Sequence, residues 1–176
     1  AGNQYRNTAG SRPLIVLDAP NIAMRRGKGK AFVSAGVSAA IVYYQRRGHH
    51  VVSFLPESYV DASRVSAMKR AAKLGQDVAM QSLPDDVPLL QSLVDKGLLF
   101  LTPAKSYDDS FTIKYAQDHD GCVVSNDQYR DYVAKLEHKA RPKAAQWLRE
   151  HRIAFTFAGK EFMPNPDFVY PAPSAM

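Results

Sequence analysis

Short apolar runs that alternate with segments of helical periodicity limit the fold of this sequence most. Four runs rich in strand-forming residues lie at 14–17, 51–55, 98–101 and 121–125. Weaker strand signals follow at 153–157 and 162–163, and helical spacing predicts helices at 37–47, 63–74, 89–96, 108–117, 128–136 and 143–151. Because strand–helix alternation is typical of parallel sheets covered on both faces, the sequence predicts an α/β fold: a mainly parallel central sheet flanked by helices on both faces.

The length of 176 residues suits one domain with a single sizeable core. We expect a flexible polar tail at 1–12, a folded domain at 13–166 and a proline-rich tail at 167–176. No stretch approaches the ~20 apolar residues of a membrane helix, and the first residues lack a signal-peptide core. The start without Met suggests a piece of a longer protein. The single cysteine, Cys122, excludes an internal disulfide framework or a cysteine-rich zinc site, and fits an intracellular location, cytoplasmic or nuclear.

The formal net charge of +6 favours a polyanionic partner, nucleic acid first and an anionic membrane surface second. Two basic stretches could follow a phosphate backbone, although a solvated surface explains such residues equally well. The first stretch contains Arg25, Arg26, Lys28 and Lys30, and the second contains Lys135, Lys139, Arg141 and Lys143.

Carboxylates follow three of the predicted strands, at the sheet edge where open α/β sheets gather ligands. Asp18 ends the first run, and Asp108 and Asp109 open the helix after the third. Asp127 follows the fourth, with Asp131 four residues later, a spacing that predicts both on one helical face. Each aspartate alone could simply cap a helix or complement its dipole.

If the three strand ends converge, the carboxylates repel one another. Two charges about 4 Å apart cost about 4 kcal/mol at an effective dielectric near 20, a large part of a domain's ~5–15 kcal/mol of stability. Either the acids bind protons or a hard cation lies among them. All-oxygen ligands favour magnesium or manganese, which can activate water against a phosphodiester. Asn21 could orient a ligand water or hold a turn, and a turn is the simpler interpretation.

Four segments of the chain resemble one known family. They are DAPNIAM (18–24), YDDSF (107–111), DGCVVSNDQYRD (120–131) and KEFMP (160–164). In this order they resemble the NYN/PIN-like ribonuclease domain of the Regnase type, the CCCH zinc-finger endoribonucleases that degrade messenger RNA. The resemblance runs from about residue 12 to 167, and the block 120–131 is its most specific part.

The resemblance implies a PIN-like Rossmannoid fold and a Mg²⁺-dependent endonuclease for single-stranded or stem-loop RNA. It implies a metal held by Asp18, Asp109 and Asp127, with Asn21, Asp108 and Asp131 completing the catalytic set. Arg130 becomes a candidate for phosphate contact, unless it pairs with a nearby aspartate. The family's basic loop before YDDSF is shortened here to residues 103–106, in which Lys105 is the candidate for RNA binding.

Two other functions stay open on the sequence. Relatives of the fold cut transfer RNA or DNA at 5′ junctions, so a structure-selective end-processing nuclease is one alternative. A noncatalytic module that binds RNA or docks a protein is the other, although the intact acidic set argues against it. The sequence leaves open whether the domain forms a homodimer and whether further domains or partner proteins lie outside this segment.

Overall fold

A computed structural model describes residues 12–77, 83–103 and 110–175. Its strands are β1 (Ile15–Asp18), β2 (Val51–Pro56), β3 (Leu99–Thr102), β4 (Cys122–Val124), β5 (Arg152–Ile153), β6 (Phe155–Ala158) and β7 (Glu161–Pro164). Its helices are α1 (Ala19–Arg26), α2 (Ala35–Arg46), α3 (Ala62–Lys73), α4 (Val87–Asp95), α5 (Ser110–Asp118), α6 (Arg130–Ala134) and α7 (Arg141–His151). Within these ranges none of the helices is long and apolar enough to cross a bilayer.

Five strands in the described ranges form one parallel sheet in the order β3-β2-β1-β4-β5. Leu17 on β1 pairs with Ser53 on β2 and with Val124 on β4, so the three strands end at one edge. The strand order reverses between β2 and β4, on either side of β1. This reversal opens a crevice at the carboxyl ends of β1 and β4, the place where ligands bind in open α/β sheets.

Helices cover both faces of the sheet, which confirms the predicted α/β architecture. Alternate residues of β1 point to opposite faces, Ile15 and Leu17 to one and Val16 to the other, and all three are fully buried. The first face packs against α1, α2 and α4, and the second against α5 and α7. Cys122 is buried in the first core cluster, and burial raises the pKa of its thiol to about 12.

The predicted fifth strand at 153–157 is wrong in one respect, because the structure divides it in two. Ile153 pairs with β4 in the parallel sheet, whereas β6 leaves that sheet and forms an antiparallel hairpin with β7. The side chain of Asn126 causes this break: its Nδ2 donates to the Phe155 carbonyl and its Oδ1 accepts from the Phe155 amide, both at 2.9 Å. Gly159, at φ +60°, allows the tight turn between the two strands.

Three helix predictions also need correction. No helix is predicted directly after Asp18, but α1 begins there with Pro20 in its first turn. The helix predicted at 143–151 begins earlier, at Arg141, because Pro142 lies in the first turn of α7, where its missing N–H leaves no helical bond unmade. The predicted helix 128–136 is only α6, because the preceding residues form the turn described below.

The proline-rich segment after 166 packs against the domain although it contains neither helix nor strand. Phe168 lies against the first core cluster, and the ring of Tyr170 lies 5.3 Å from that of His49. Ser174 donates from both its amide and its hydroxyl to the carboxylate of Asp120. The domain bounds at 13–166 stay a prediction. The contacts above show that residues beyond 166 also pack against the domain.

Candidate active site

Asp18 lies at the crevice, where β1 ends and α1 begins. Its side chain is 5% exposed and caps α1 by accepting from the Asn21 amide at 3.4 Å. Its other oxygen, Oδ2, accepts from the Ser125 hydroxyl at 2.9 Å and from the Tyr129 hydroxyl at 2.8 Å. The Asp18 carboxylate therefore both caps α1 and contacts the residues that follow β4.

Burial raises the pKa of the Asp18 carboxyl. The hydrogen bonds from Tyr129, Ser125 and Asn21 act in the opposite direction, because donors stabilise the charged form. The negative charge of Asp127 raises the pKa further. This effect of Asp127 on Asp18 makes the two aspartates, distant in the sequence, electrostatic neighbours in the fold.

A tight turn after β4 positions the second carboxylate. The amide of Asp127 donates to the Ser125 hydroxyl at 3.1 Å, and Asp127 Oδ1 accepts from the Tyr129 amide at 2.7 Å. Tyr129 adopts the left-handed conformation, with φ at 54°, which is uncommon for a residue with a side chain. Its amide thus holds Asp127 while its buried hydroxyl holds Asp18. One residue therefore fixes both carboxylates, while the side chain of Asp127 stays exposed.

Asn21 connects α1 to this turn. Its Oδ1 accepts from the Asn126 amide at 2.9 Å, and the Asn126 side chain continues the connection to Phe155. Asn21 lies within α1, so its side chain holds the turn after β4 and not a local turn after Asp18. Its contact also locks the start of α1 against the end of β4.

Asp127 and Asp131 border one cavity of about 360 Å³, together with Asn126, Gln128 and Arg130. The predicted i, i+4 placement on one helical face is wrong, because α6 begins only at Arg130 and Asp127 precedes it. The fold nevertheless places both acids on the same cavity. Arg130 donates to the Gln128 side chain.

A family model described as the Zc3h12a-like ribonuclease NYN domain matches residues 11–171 of this sequence, nearly the whole chain. The chain belongs to this family. The predicted resemblance to Regnase-type NYN domains is confirmed. This match places the Asp18–Asp127 crevice in a domain of ribonucleases.

One curated protein and two solved structures are similar to this NYN domain. Endoribonuclease rege-1 of Caenorhabditis elegans is 26% identical over 162 residues, which cover 87% of this chain but only 22% of that protein. Two structures of the nuclear protein-only RNase P 2 of Arabidopsis thaliana share the fold, at TM-scores of 0.62 and 0.60 and 16% identity. The matched part is 91% and 93% of this chain, and 31% and 32% of the two Arabidopsis chains. The chain thus spans about a fifth to a third of these proteins.

Three predicted site residues of the NYN domain, Lys105, Asp108 and Asp109, lie outside the described residues. Over 12–77, 83–103 and 110–175, no group of three His, Cys, Asp or Glu side chains is placed to hold a metal ion. The described part thus supplies Asp18 and Asp127. That Asp18, Asp109 and Asp127 hold a metal ion stays a prediction.

The first basic stretch lies away from the carboxylates. Arg25 and Arg26 form the last turn of α1, whose eight residues span about 12 Å from the cap at Asp18. There they complement the helix dipole. Lys28 and Lys30 follow in the exposed turn beyond. In the second stretch, Arg141 donates to the carbonyls of Ala134 and Leu136 and so completes the end of α6.

Three residues that contribute to the site were assigned no role from the sequence. Ser125 and Tyr129 lie inside the quoted block 120–131, but a serine and a tyrosine carry no signal of burial against an aspartate. Tyr59, in the 3-10 turn Glu57–Val60 after β2, is near enough for the Asp18 charge to add to the effect of burial in raising its pKa. Their roles depend on contacts between distant segments.

Proposed function

We propose that this domain is a metal-dependent endoribonuclease that cleaves single-stranded or stem-loop RNA, with messenger RNA as the substrate class. One observation carries the proposal: Asp18 and Asp127 meet at the reversal of the strand order and are held by the same tyrosine. Membership of the ribonuclease family supports it, as does the similarity to a nematode endoribonuclease.

Magnesium, or manganese in its place, fits the donors present. Carboxylate oxygens are the ligands that hard cations prefer, and burial beside a second acid raises the pKa of Asp18, a cost that a cation would relieve. Asp18, Asp127 and Asp109 would hold the ion, with Asp108 and Asp131 as outer acids. A divalent cation bound there lowers the pKa of water and neutralises charge on the phosphodiester.

The side chains of the domain then position the reacting groups. Ser125 and Tyr129 keep the Asp18 carboxylate in one orientation, and Asp127 faces the open cavity into which the scissile phosphate fits. Water attacks phosphorus in line and gives its proton to solvent, and the bond to the 3′ oxygen breaks as that oxygen takes a proton from solvent. The products are a 5′-phosphate and a 3′-hydroxyl. Arg130, at the rim of this cavity, would contact a phosphate.

The test measures cleavage of labelled stem-loop and linear RNAs by three proteins: the wild type, Asp127→Asn and Asp109→Asn. Each reaction is run in Mg²⁺ and in EDTA. We expect Mg²⁺-dependent cleavage that each variant lowers by at least about 100-fold, since residues that merely orient a ligand are typically worth 10–100-fold. Asp118→Asn, an exposed aspartate at the end of α5, is the matched control and should cut normally. Near-wild-type cleavage by Asp127→Asn would remove that residue from the chemistry.

A substrate panel decides between this proposal and its alternatives. Preferential cutting of a transfer RNA precursor or a DNA junction at its 5′ side would replace the messenger RNA substrate with an end-processing role. Binding of RNA in EDTA without any Mg²⁺-dependent product would indicate a noncatalytic module. Measurement of the molecular mass in solution tests whether the domain forms a homodimer, which the sequence leaves open.

A further inference from the structure

A second cavity of about 450 Å³ lies beside the carboxylate site, between α6, α7 and the start of β5. Its volume is within the usual range for small-ligand pockets. Gln128 and Arg130 border both this cavity and the one that contains Asp127 and Asp131. The two cavities are therefore neighbours with two lining residues in common.

The floor of the second cavity is apolar. It consists of Val133 and Ala134 from α6 and of Ala145 and Leu148 from α7. Leu148 is buried in the second core cluster, so the floor is anchored to the body of the domain. Small side chains on both helices leave a shallow apolar surface, which suits a flat aromatic group.

Three arginines border this floor: Arg130, Arg149 and Arg152. Arg130 donates to the amide side chain of Gln128, and Arg152 donates to the Ser125 carbonyl at 3.0 Å. Both partners are neutral and leave the positive charge in place. Arg149 is exposed on α7. The rim therefore concentrates positive charge around an apolar surface.

Arg152 also fixes the distance between the second cavity and the carboxylates. It donates to the carbonyl of Ser125, whose hydroxyl donates to Asp18. The cavity wall and the buried acid thus contact opposite ends of the same residue. A group seated against Arg152 is thereby linked to Asp18 through Ser125.

We propose that this cavity binds the RNA nucleotide adjacent to the scissile phosphodiester, with its base on the apolar floor and its phosphate against the arginines. The inference rests on the proposed function and adds a subsite to it. A nucleotide combines a flat, weakly polar base with an anionic phosphate, and the cavity combines the complementary surfaces. Single-stranded RNA offers unstacked bases, which guanidinium planes also stack upon.

The test measures binding of a short labelled single-stranded RNA in EDTA, where the RNA stays intact, over a range of salt concentrations. Arg149→Gln removes one rim charge, and Ala134→Phe fills the cavity without changing any charge. We expect Arg149→Gln to weaken binding about tenfold and to reduce the salt slope of the logarithmic affinity by about 0.7. Ala134→Phe should weaken binding with an unchanged slope.

Matched controls are Arg46→Gln on α2, which covers the opposite face of the sheet, and Ala67→Phe on the exposed side of α3. Both should bind RNA like the wild type. Thermal unfolding of each variant verifies that it is folded. Wild-type affinity in both cavity variants would overturn the subsite.

Cleavage by the wild type in Mg²⁺ is a separate measurement that tests the proposed function. Weaker binding by Arg149→Gln and Ala134→Phe supports the subsite even if the wild type fails to cut RNA. If the wild type cleaves RNA and both variants bind RNA normally, the subsite proposal is refuted and the nuclease proposal stands. The two failures are therefore distinguishable.

Discussion

Tyr129→Phe removes a single oxygen atom from the centre of the site. That hydroxyl donates to Asp18 Oδ2 at 2.8 Å, and the ring is 1% exposed, so water cannot readily replace the bond. The amide of Tyr129 still donates to Asp127, because the backbone is unchanged. The substitution thus isolates the hold on Asp18 from the hold on Asp127.

The expected loss follows from the kind of bond. A hydrogen bond to a buried charged group contributes about 1.5–3 kcal/mol to the free energy of unfolding. At about 2–4 °C per kcal/mol for a chain of this size, the melting temperature should fall by about 3–12 °C. Because residues that orient a metal ligand typically change activity by 10–100-fold, cleavage should fall by about that factor.

Tyr44→Phe is the matched control. Tyr44 is also 1% exposed, but among the described residues its buried hydroxyl has no hydrogen-bond partner. Removal of an unsatisfied polar atom from a core is close to neutral or stabilising, so the free energy of unfolding should stay within about 1 kcal/mol of the wild type. Cleavage should not change.

Urea unfolding of the metal-free domain gives the two stabilities, and initial rates on labelled RNA give the two activities. Equal losses of stability in the two variants would refute the argument, because the reasoning depends on the difference in bonding and not on the loss of a hydroxyl. Wild-type cleavage by Tyr129→Phe would show that Asp18 needs no such support.

Three further outcomes are expected. Burial lowers the pKa of His49, whose Nδ1 donates to the Pro13 carbonyl, so the folded state binds fewer protons than the unfolded chain. The free energy of unfolding should therefore be full above the ordinary pKa of 6.5 and fall as the pH drops through the lowered pKa. The His49→Asn variant, measured by urea unfolding, should not show this pH dependence. Gly121→Ala would place a Cβ 2.7 Å from the Leu14 carbonyl and should cost about 1–3 kcal/mol of unfolding free energy, and an unchanged value would contradict the close approach of β1 and β4. Asn126→Ala removes the two side-chain bonds to the β6–β7 hairpin, so hydrogen exchange should accelerate there and not in α4.

The central sheet could be predicted from the sequence because buried parallel strands are almost uniformly apolar. Residues 14–17 and 122–124 are fully buried, and both runs were recognised on composition alone. Helix α1 was missed because Ala19-Pro20 resembles a turn, although a capping aspartate followed by proline is also a signal for a helix start. The hairpin β6–β7 was missed because the break before it depends on Asn126, 29 residues earlier in the sequence.

The position of Asp18 and Asp127 could be predicted because parallel strands bring their carboxyl ends to one edge. What holds the acids could not, since it depends on a left-handed Tyr129 and on a Ser125 hydroxyl shared between two bonds. Neither has a periodic pattern. The same limit applies to the second cavity, whose arginines come from α6, α7 and β5 and are close only after folding.

Residues 125–130 determine both the chemistry and the placement of RNA in this proposal. Ser125 donates to Asp18 and accepts from Arg152, so a change at the cavity rim can also move the carboxylate. Arg152→Gln should therefore lower both RNA affinity and the cleavage rate of bound RNA, whereas Arg149→Gln should lower affinity alone. Single-turnover rates at saturating enzyme separate the two effects. If the two variants behaved alike in that assay, the bond from Arg152 to Ser125 would carry no influence on the site, and the cavity and the acids would act independently.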